Sequence, residues 1–276
     1  LRQLLSLPSK LGSGETMAEK CWLVPYDVDI GASASFGVRV ALPSVSVLGD
    51  PEKFEQECAS LTEWEVGKTH KIPSIWTFMS KFGGCTSDGE IFWRLEEKQV
   101  VALLLDGWFR EAPPGSNCEY LSKKCILVGS SGIGKSTLLC VVAFYLVFKL
   151  KKWVLIFRQL AEADCLVCMG YDQSGAVVHL EVEDCTDVSA TNIYQELVRQ
   201  HGMSNVWLFL DNFEYRDVPE GLKAFDMVAA SQPVDLMFGE RSDEYCCLLP
   251  SWSLRDLQLL GKFVYKFDVN VANGRY

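Results

Sequence analysis

Basic residues are in short supply in this sequence. Lys and Arg number 26 against 36 Asp and Glu, a formal net charge of −10, with only 3 His. That balance argues against sequence-blind nucleic-acid binding, because a phosphate backbone is held mainly by excess Lys and Arg. Long apolar runs are missing too. The most apolar stretch, Leu138 to Phe148, spans 11 residues, whereas a bilayer-crossing helix needs about 20. It reads as a core helix, and no membrane insertion is expected. The opening LRQLLSLPSKLGSG is too short and too broken for a secretion h-region. Met17 is the first methionine, so residues 1–16 read as an unstructured leader.

The 11 cysteines lack regular spacing, and several sit inside apolar runs. An odd count without a pattern reads as reduced, buried thiols and a reducing environment, not as a disulfide framework. Cys165 and Cys168 have CxxC spacing, but no second Cys or His pair lies near them to complete four zinc ligands. Two strand cysteines are the expected reading.

With 49% hydrophobic residues, the chain can bury a substantial core. Glu111-Ala112-Pro113-Pro114-Gly115-Ser116-Asn117 cannot continue a helix or a central strand, and it reads as a linker. It divides a small mixed N-terminal segment, residues 17–112, from a C-terminal unit, residues 118–276. In the first segment Pro51–Leu61, Ile72–Phe82 and Val100–Phe109 have helical character, and its aromatics read as packing residues. No group of titratable side chains there suggests chemistry. In the C-terminal unit short apolar runs alternate with helical ones. Strands are expected at Cys125–Val128, Trp153–Phe157, Val206–Leu210, Phe225–Ala230 and Tyr245–Leu249, with a hairpin at Asp172–Gly175. Helices are expected at Ser136–Lys149 and Thr191–His201, the latter closed by Gly202. The pattern predicts an α/β fold, a parallel sheet flanked by helices.

The loop after the first of those strands reads GSSGIGKST, residues 129–137, and fits G-x-x-x-x-G-K-[ST]. Gly129, Gly132 and Gly134 let the backbone curl so that its N–H groups, including those of Ser130, Ser131 and Ile133, face an anion. The following helix aims its positive dipole end at the same place. Lys135 supplies a point charge for the β- and γ-phosphates. The Ser136 hydroxyl is suited to Mg²⁺, and Thr137 to a more distal phosphate. Asp211, ending an apolar strand, is the expected second metal-supporting acid, the Walker B position. A Glu often follows that acid to polarise the attacking water, but here Asn212 does. An amide orients water without taking its proton. Glu214 is the alternative base if the turn brings it round, and otherwise reads as a surface acid. Ser231-Gln232 occupies a sensor-like position and reads equally as a plain turn, and Arg158 and Arg241 are the remaining candidate phosphate contacts, each also readable as a solvated loop arginine. With no guanine-type Asn-Lys-x-Asp signature, ATP with Mg²⁺ is the expected ligand.

Taken together, CILVGSSGIGKST with its apolar helix, KKWVLIFRQ, VWLFLDN, FDMVAASQ and LPSWSLRDL resemble the NTPase module of the crinkler effectors of oomycetes and some fungi. The retrotransposon-hot-spot proteins of trypanosomes are similar. In those families the loop reads GTPGIGKS or GSPGIGKS, and a Pro-x-Trp-Ser-like segment leads into an acidic helix. Pro250-Ser251-Trp252-Ser253 with Asp256 fits that pattern. The resemblance covers residues 118–276. It implies a P-loop NTPase of the additional-strand type in a secreted effector acting inside a host cell, often in the nucleus, on a host protein. No LFLAK-type motif stands near the start, although the segment from Met17 reads as a diverged ubiquitin-like region. The family's C-terminal helical lid is expected to be lacking. Three outcomes stay open: an ATPase, a nucleotide-switched interaction module without turnover, and a degenerate paralogue without ligand.

Overall fold

In the computed structural model, which describes residues 41–86, 88–105, 123–213, 217–223, 225–231 and 244–263, the helix after the glycine loop is covered on every side. These residues all belong to one compact unit, Phe36–Tyr276; a second unit, Leu1–Ser35, lies outside the described residues. The expected leader at residues 1–16, the ubiquitin-like region from Met17, the 111–117 linker, Glu214, Gln232 and Arg241 also lie outside them.

The elements run β1 (Ser46–Val47), α1 (Pro51–Cys58), β2 (Thr69–Lys71), α2 (Pro73–Met79), β3 (Glu90–Phe92) and α3 (Leu95–Leu105). Then come β4 (Lys124–Val128), α4 (Lys135–Phe148), β5 (Trp153–Arg158), β6 (Cys165–Tyr171), β7 (Val177–Val182) and α5 (Asp187–His201). The chain continues through β8 (Val206–Asp211), β9 (Met227–Ser231), β10 (Glu244–Leu248) and α6 (Leu254–Phe263).

Among the described residues the main sheet has 8 strands in the order β1-β7-β6-β5-β8-β9-β4-β10. The run β5-β8-β9-β4-β10 is parallel throughout. The other end is antiparallel, so the sheet is mixed and not the parallel sheet expected. The cause is local. Asp172 Oδ1 accepts the Ser174 and Ala176 N–H groups at 2.8 and 2.9 Å, an Asx-type turn that folds β7 straight back on β6. β1, which the sequence did not advertise, then adds antiparallel to β7. α5 begins at Asp187, four residues ahead of the expected start, because the Thr186 hydroxyl caps it, accepting the Ser189 N–H at 3.2 Å.

Side chains alternate across the central strands. Val154, Ile156, Trp207 and Phe209 face α4, while Leu155, Phe157, Leu208 and Leu210 face α5. Helices thus cover both faces. α4 lies between the sheet and α1, where Phe54 stacks on Phe144 and Phe148 with ring centroids 5.6 and 5.9 Å apart. Every residue from Leu138 to Phe148 is buried. The helix is apolar all round because residues 41–105 and the sheet share it as one core. Cys165 and Cys168 point to opposite faces of β6, one into each core, so they cannot act as a ligand pair. All nine described cysteines are free thiols. No helix among the described residues is long and apolar enough to cross a membrane.

Candidate phosphate-binding site

The parallel strands end level with one another. Val128 pairs with Ser231, Asp211 with Ala230, and Arg158 with Asp211. Ligands in α/β folds bind outside such carboxyl ends. Here the loop 129–134 leaves β4 and feeds α4, whose N-terminus faces the same edge.

Gly134 has φ 104° and Gly132 φ 77°, backbone conformations that L side chains rarely adopt. Gly129 is needed for space: a Cβ there would come within 2.7 Å of the Leu249 carbonyl and 3.0 Å of Ile133 Cγ2. The Lys135 ammonium curls back over the loop and donates to the carbonyls of Gly129 and Ser130 at 2.6 and 2.9 Å. Burial holds its pKa below the ordinary lysine value, against the pull of Asp211.

The Ser136 hydroxyl donates to Asp211 Oδ1 at 2.8 Å, joining residues 75 positions apart. Asp211 Oδ2 is taken by Arg158, with Nε and Nη2 each at 2.7 Å. Both side chains are only 4% exposed. Arg158 is therefore not the solvated loop arginine that its position suggested; as the last residue of β5 it faces Asp211 in register. It also donates to the carbonyls of Phe82 and Gly84. Thr137 Oγ1 donates to the Cys85 carbonyl. Residues 82–86, from the segment in which the sequence showed no chemistry, thus form one wall of the site.

A cavity of about 350 Å³ results, bordered by Ser131, Gly132, Gly134, Lys135, Ser136, Thr137, Asp211 and Asn212 together with Cys85 and Thr86. Gly129, Ser130 and Ile133 shape the loop behind it. Among the described residues Asp211 is the sole carboxylate on this cavity. Asn212 adopts a left-handed conformation, φ 68°, and its amide donates to the Gln159 carbonyl at 2.9 Å. Its side chain therefore ties β8 to β5 at the rim. Ser231 ends β9 beside Val128.

A further arginine, overlooked in the sequence, locks the loop from outside. Arg94, 1% exposed, pairs with Glu97 at 2.8 Å and donates to Pro250 O at 3.0 Å and Ile133 O at 3.4 Å. Its guanidinium lies 4.8 Å from the Trp252 ring centroid. Glu97 in turn accepts the Arg94 backbone N–H at 2.7 Å, half of a capping box at the start of α3. The Glu three residues after Arg94 was the available signal. Burial raises the Glu97 pKa, and Arg94 opposes the rise. The Pro-Ser-Trp-Ser segment is thereby fastened to the loop.

A larger cavity, about 440 Å³, lies over α1 and β2 and includes Lys53, Glu57, Trp64 and His70. Its chemistry is already spent. The Glu57 carboxylate accepts the Ser74 and Ile75 N–H groups at 2.8 to 3.0 Å and caps α2.

Compared with known proteins, the sequence matches no family model and no curated protein. The functional reading therefore rests on the site itself.

Proposed function

We propose that this chain binds a nucleoside triphosphate with Mg²⁺ as a P-loop NTPase of the additional-strand type. The observation that carries the reading is the 2.8 Å bond from the Ser136 hydroxyl to Asp211 Oδ1. It joins the loop's metal-type hydroxyl to the strand-terminal acid. The sheet order supports the type, since β9 lies between the loop strand β4 and the acid strand β8. The donor set suits Mg²⁺, a hard cation that takes oxygen ligands and keeps several waters. Ser136 and Asp211 would hold it, and the metal would neutralise charge on the phosphates. Lys135, now resting on two loop carbonyls, would exchange them for phosphate oxygens.

Lys135→Ala is expected to abolish ATP binding with the fold intact. Calorimetric titration with ATP and Mg²⁺, beside a circular dichroism spectrum, checks this. Unchanged affinity would refute the site.

A second reading, binding without turnover, is favoured by two observations. Asn212, where a general base is often found, spends its amide on Gln159, and Arg158 already neutralises Asp211. Sustained phosphate release that depends on Asp211 would exclude it. In the crinkler-like reading the module serves a secreted effector in a host cell. Its support is the set of motifs around residues 129–137 and 250–256.

A further inference from the structure

Next to the phosphate cavity lies another of about 310 Å³, and the two border one another at Thr86, Gly132, Gly134 and Thr137. Its volume falls at the lower end of the roughly 300–1,000 Å³ typical of small-molecule sites. The aromatic and aliphatic side chains are concentrated in the second cavity. The first is framed by loop backbone, hydroxyls, an ammonium and a carboxylate. The second is bounded by Phe92 of β3, by Trp252, and by Leu257 and Leu260 on α6. Trp93 also lines it. That residue is 1% exposed, and its indole N–H is buried with no acceptor among the described residues. A buried donor left unpaired in this way costs free energy unless a ligand supplies the acceptor. The carboxylates of Asp88, Glu90 and Glu97 also line it, Glu90 with Lys71 at 3.6 Å and Glu97 held by Arg94, and an ionised carboxylate can only accept.

We propose that this second cavity holds the purine base of the bound nucleotide, a reading that rests on the phosphate site proposed above. A purine has the properties that the walls ask for. Its flat faces stack on aromatic and aliphatic side chains, its ring nitrogens accept a hydrogen bond, and its exocyclic amine donates one to a carboxylate. A ligand spanning both cavities must carry its anionic part and its apolar part on opposite sides of Gly132 and Gly134. A nucleoside triphosphate is built in that way. The residues of the base site come from β3 and α6, on either side of the loop in the sequence, and Arg94 fastens the loop through Ile133 and the segment ahead of α6 through Pro250.

The test compares ATP, inorganic tripolyphosphate and adenosine by calorimetric titration of the full chain. Base stacking on an aromatic side chain is expected to make ATP bind at least about tenfold more tightly than tripolyphosphate. Leu260→Trp fills the cavity from a half-buried position on α6. It is expected to erase the preference for ATP and to abolish adenosine binding, with tripolyphosphate affinity unchanged. Leu260→Ala, a milder change, is expected to weaken ATP several-fold and tripolyphosphate not at all. Retention of the full ATP preference in Leu260→Trp would overturn the proposal, as would equal wild-type affinities for ATP and tripolyphosphate. Failure of the phosphate site alone looks different: adenosine would still bind and still be lost in Leu260→Trp, while Lys135→Ala left ATP affinity untouched.

Discussion

The pair Arg158–Asp211 lends itself to a quantitative test. Both groups are buried, two N–H groups converge on one carboxylate oxygen at 2.7 Å, and the same guanidinium holds the carbonyls of Phe82 and Gly84. Arg158→Met keeps much of the volume and removes the charge. The carboxylate is then buried without its counter-charge, and breaking such a pair costs about 3–5 kcal/mol. Against a typical stability of about 5–15 kcal/mol that is a large fraction. Arg158→Met with Asp211→Leu replaces both charges by apolar groups and leaves only the Phe82 and Gly84 carbonyls and the Ser136 hydroxyl without these partners, so the double variant is expected to be less destabilised than Arg158→Met alone. The cycle should return a coupling energy of at least about 2 kcal/mol. Urea unfolding of the four proteins measures it. Added Mg²⁺ is expected to restore part of the loss in Arg158→Met, by taking the place of the guanidinium beside Asp211, and none in the double variant. A single-variant cost below about 1 kcal/mol, or simple additivity of the two single changes, would refute the claim that this ion pair is a desolvated unit.

Other consequences are open to direct measurement. Gly129→Ala must push a methyl against the Leu249 carbonyl and Ile133; a loss of roughly 1–3 kcal/mol in urea unfolding is expected, together with weaker ATP binding. Gly170→Ala meets the Trp153 ring at 2.1 Å, far from the loop, and should cost a similar roughly 1–3 kcal/mol while leaving ATP affinity unchanged. Thr186→Ala removes the α5 cap and is expected to cost about 1 kcal/mol, read from the urea midpoint. His70 stacks on Trp64 and His201 on Trp153, and burial lowers both below the ordinary histidine value of 6.5. The unfolded chain therefore binds more protons, so their contribution to stability is complete above pH 6.5 and is lost as the pH falls below it. NMR titration should find both imidazoles protonating below that value; a normal value for either removes its share.

Much of this architecture was written in local patterns. The loop's glycines and its Lys-Ser pair carry their backbone and charge requirements in nine consecutive residues, so Gly129 to Thr137 could be read without a structure. The strand-terminal position of Asp211 was legible because five apolar residues precede it. Four features were not readable in this way. The role of Arg158 depends on which residue of β8 stands beside it, and register is a property of pairing, not of either strand alone. The wall made by residues 82–86 reaches Thr137 across 52 positions, and Arg94 reaches Pro250 across 156. The sheet was expected to be parallel, and the Asp172 hairpin was visible; what went unread was that β6 would fold back on β5 and carry that hairpin into the same sheet.

By itself, then, the sequence determined that a glycine-rich loop ending in Lys-Ser-Thr follows a buried strand and leads into a helix apolar on all sides. Those facts follow from backbone chirality, from side-chain periodicity and from the charge of one lysine, all local quantities. Only the tertiary structure decided what surrounds that loop. α4 needs cover on every face, so residues 41–105 pack against it and bring Cys85, Thr86 and Arg94 to the site. The level ends of the parallel strands then put Ser136, Asp211 and Arg158 within hydrogen-bonding distance. Distances of that kind are set by burial and strand register over the whole fold, and no short stretch of sequence contains them.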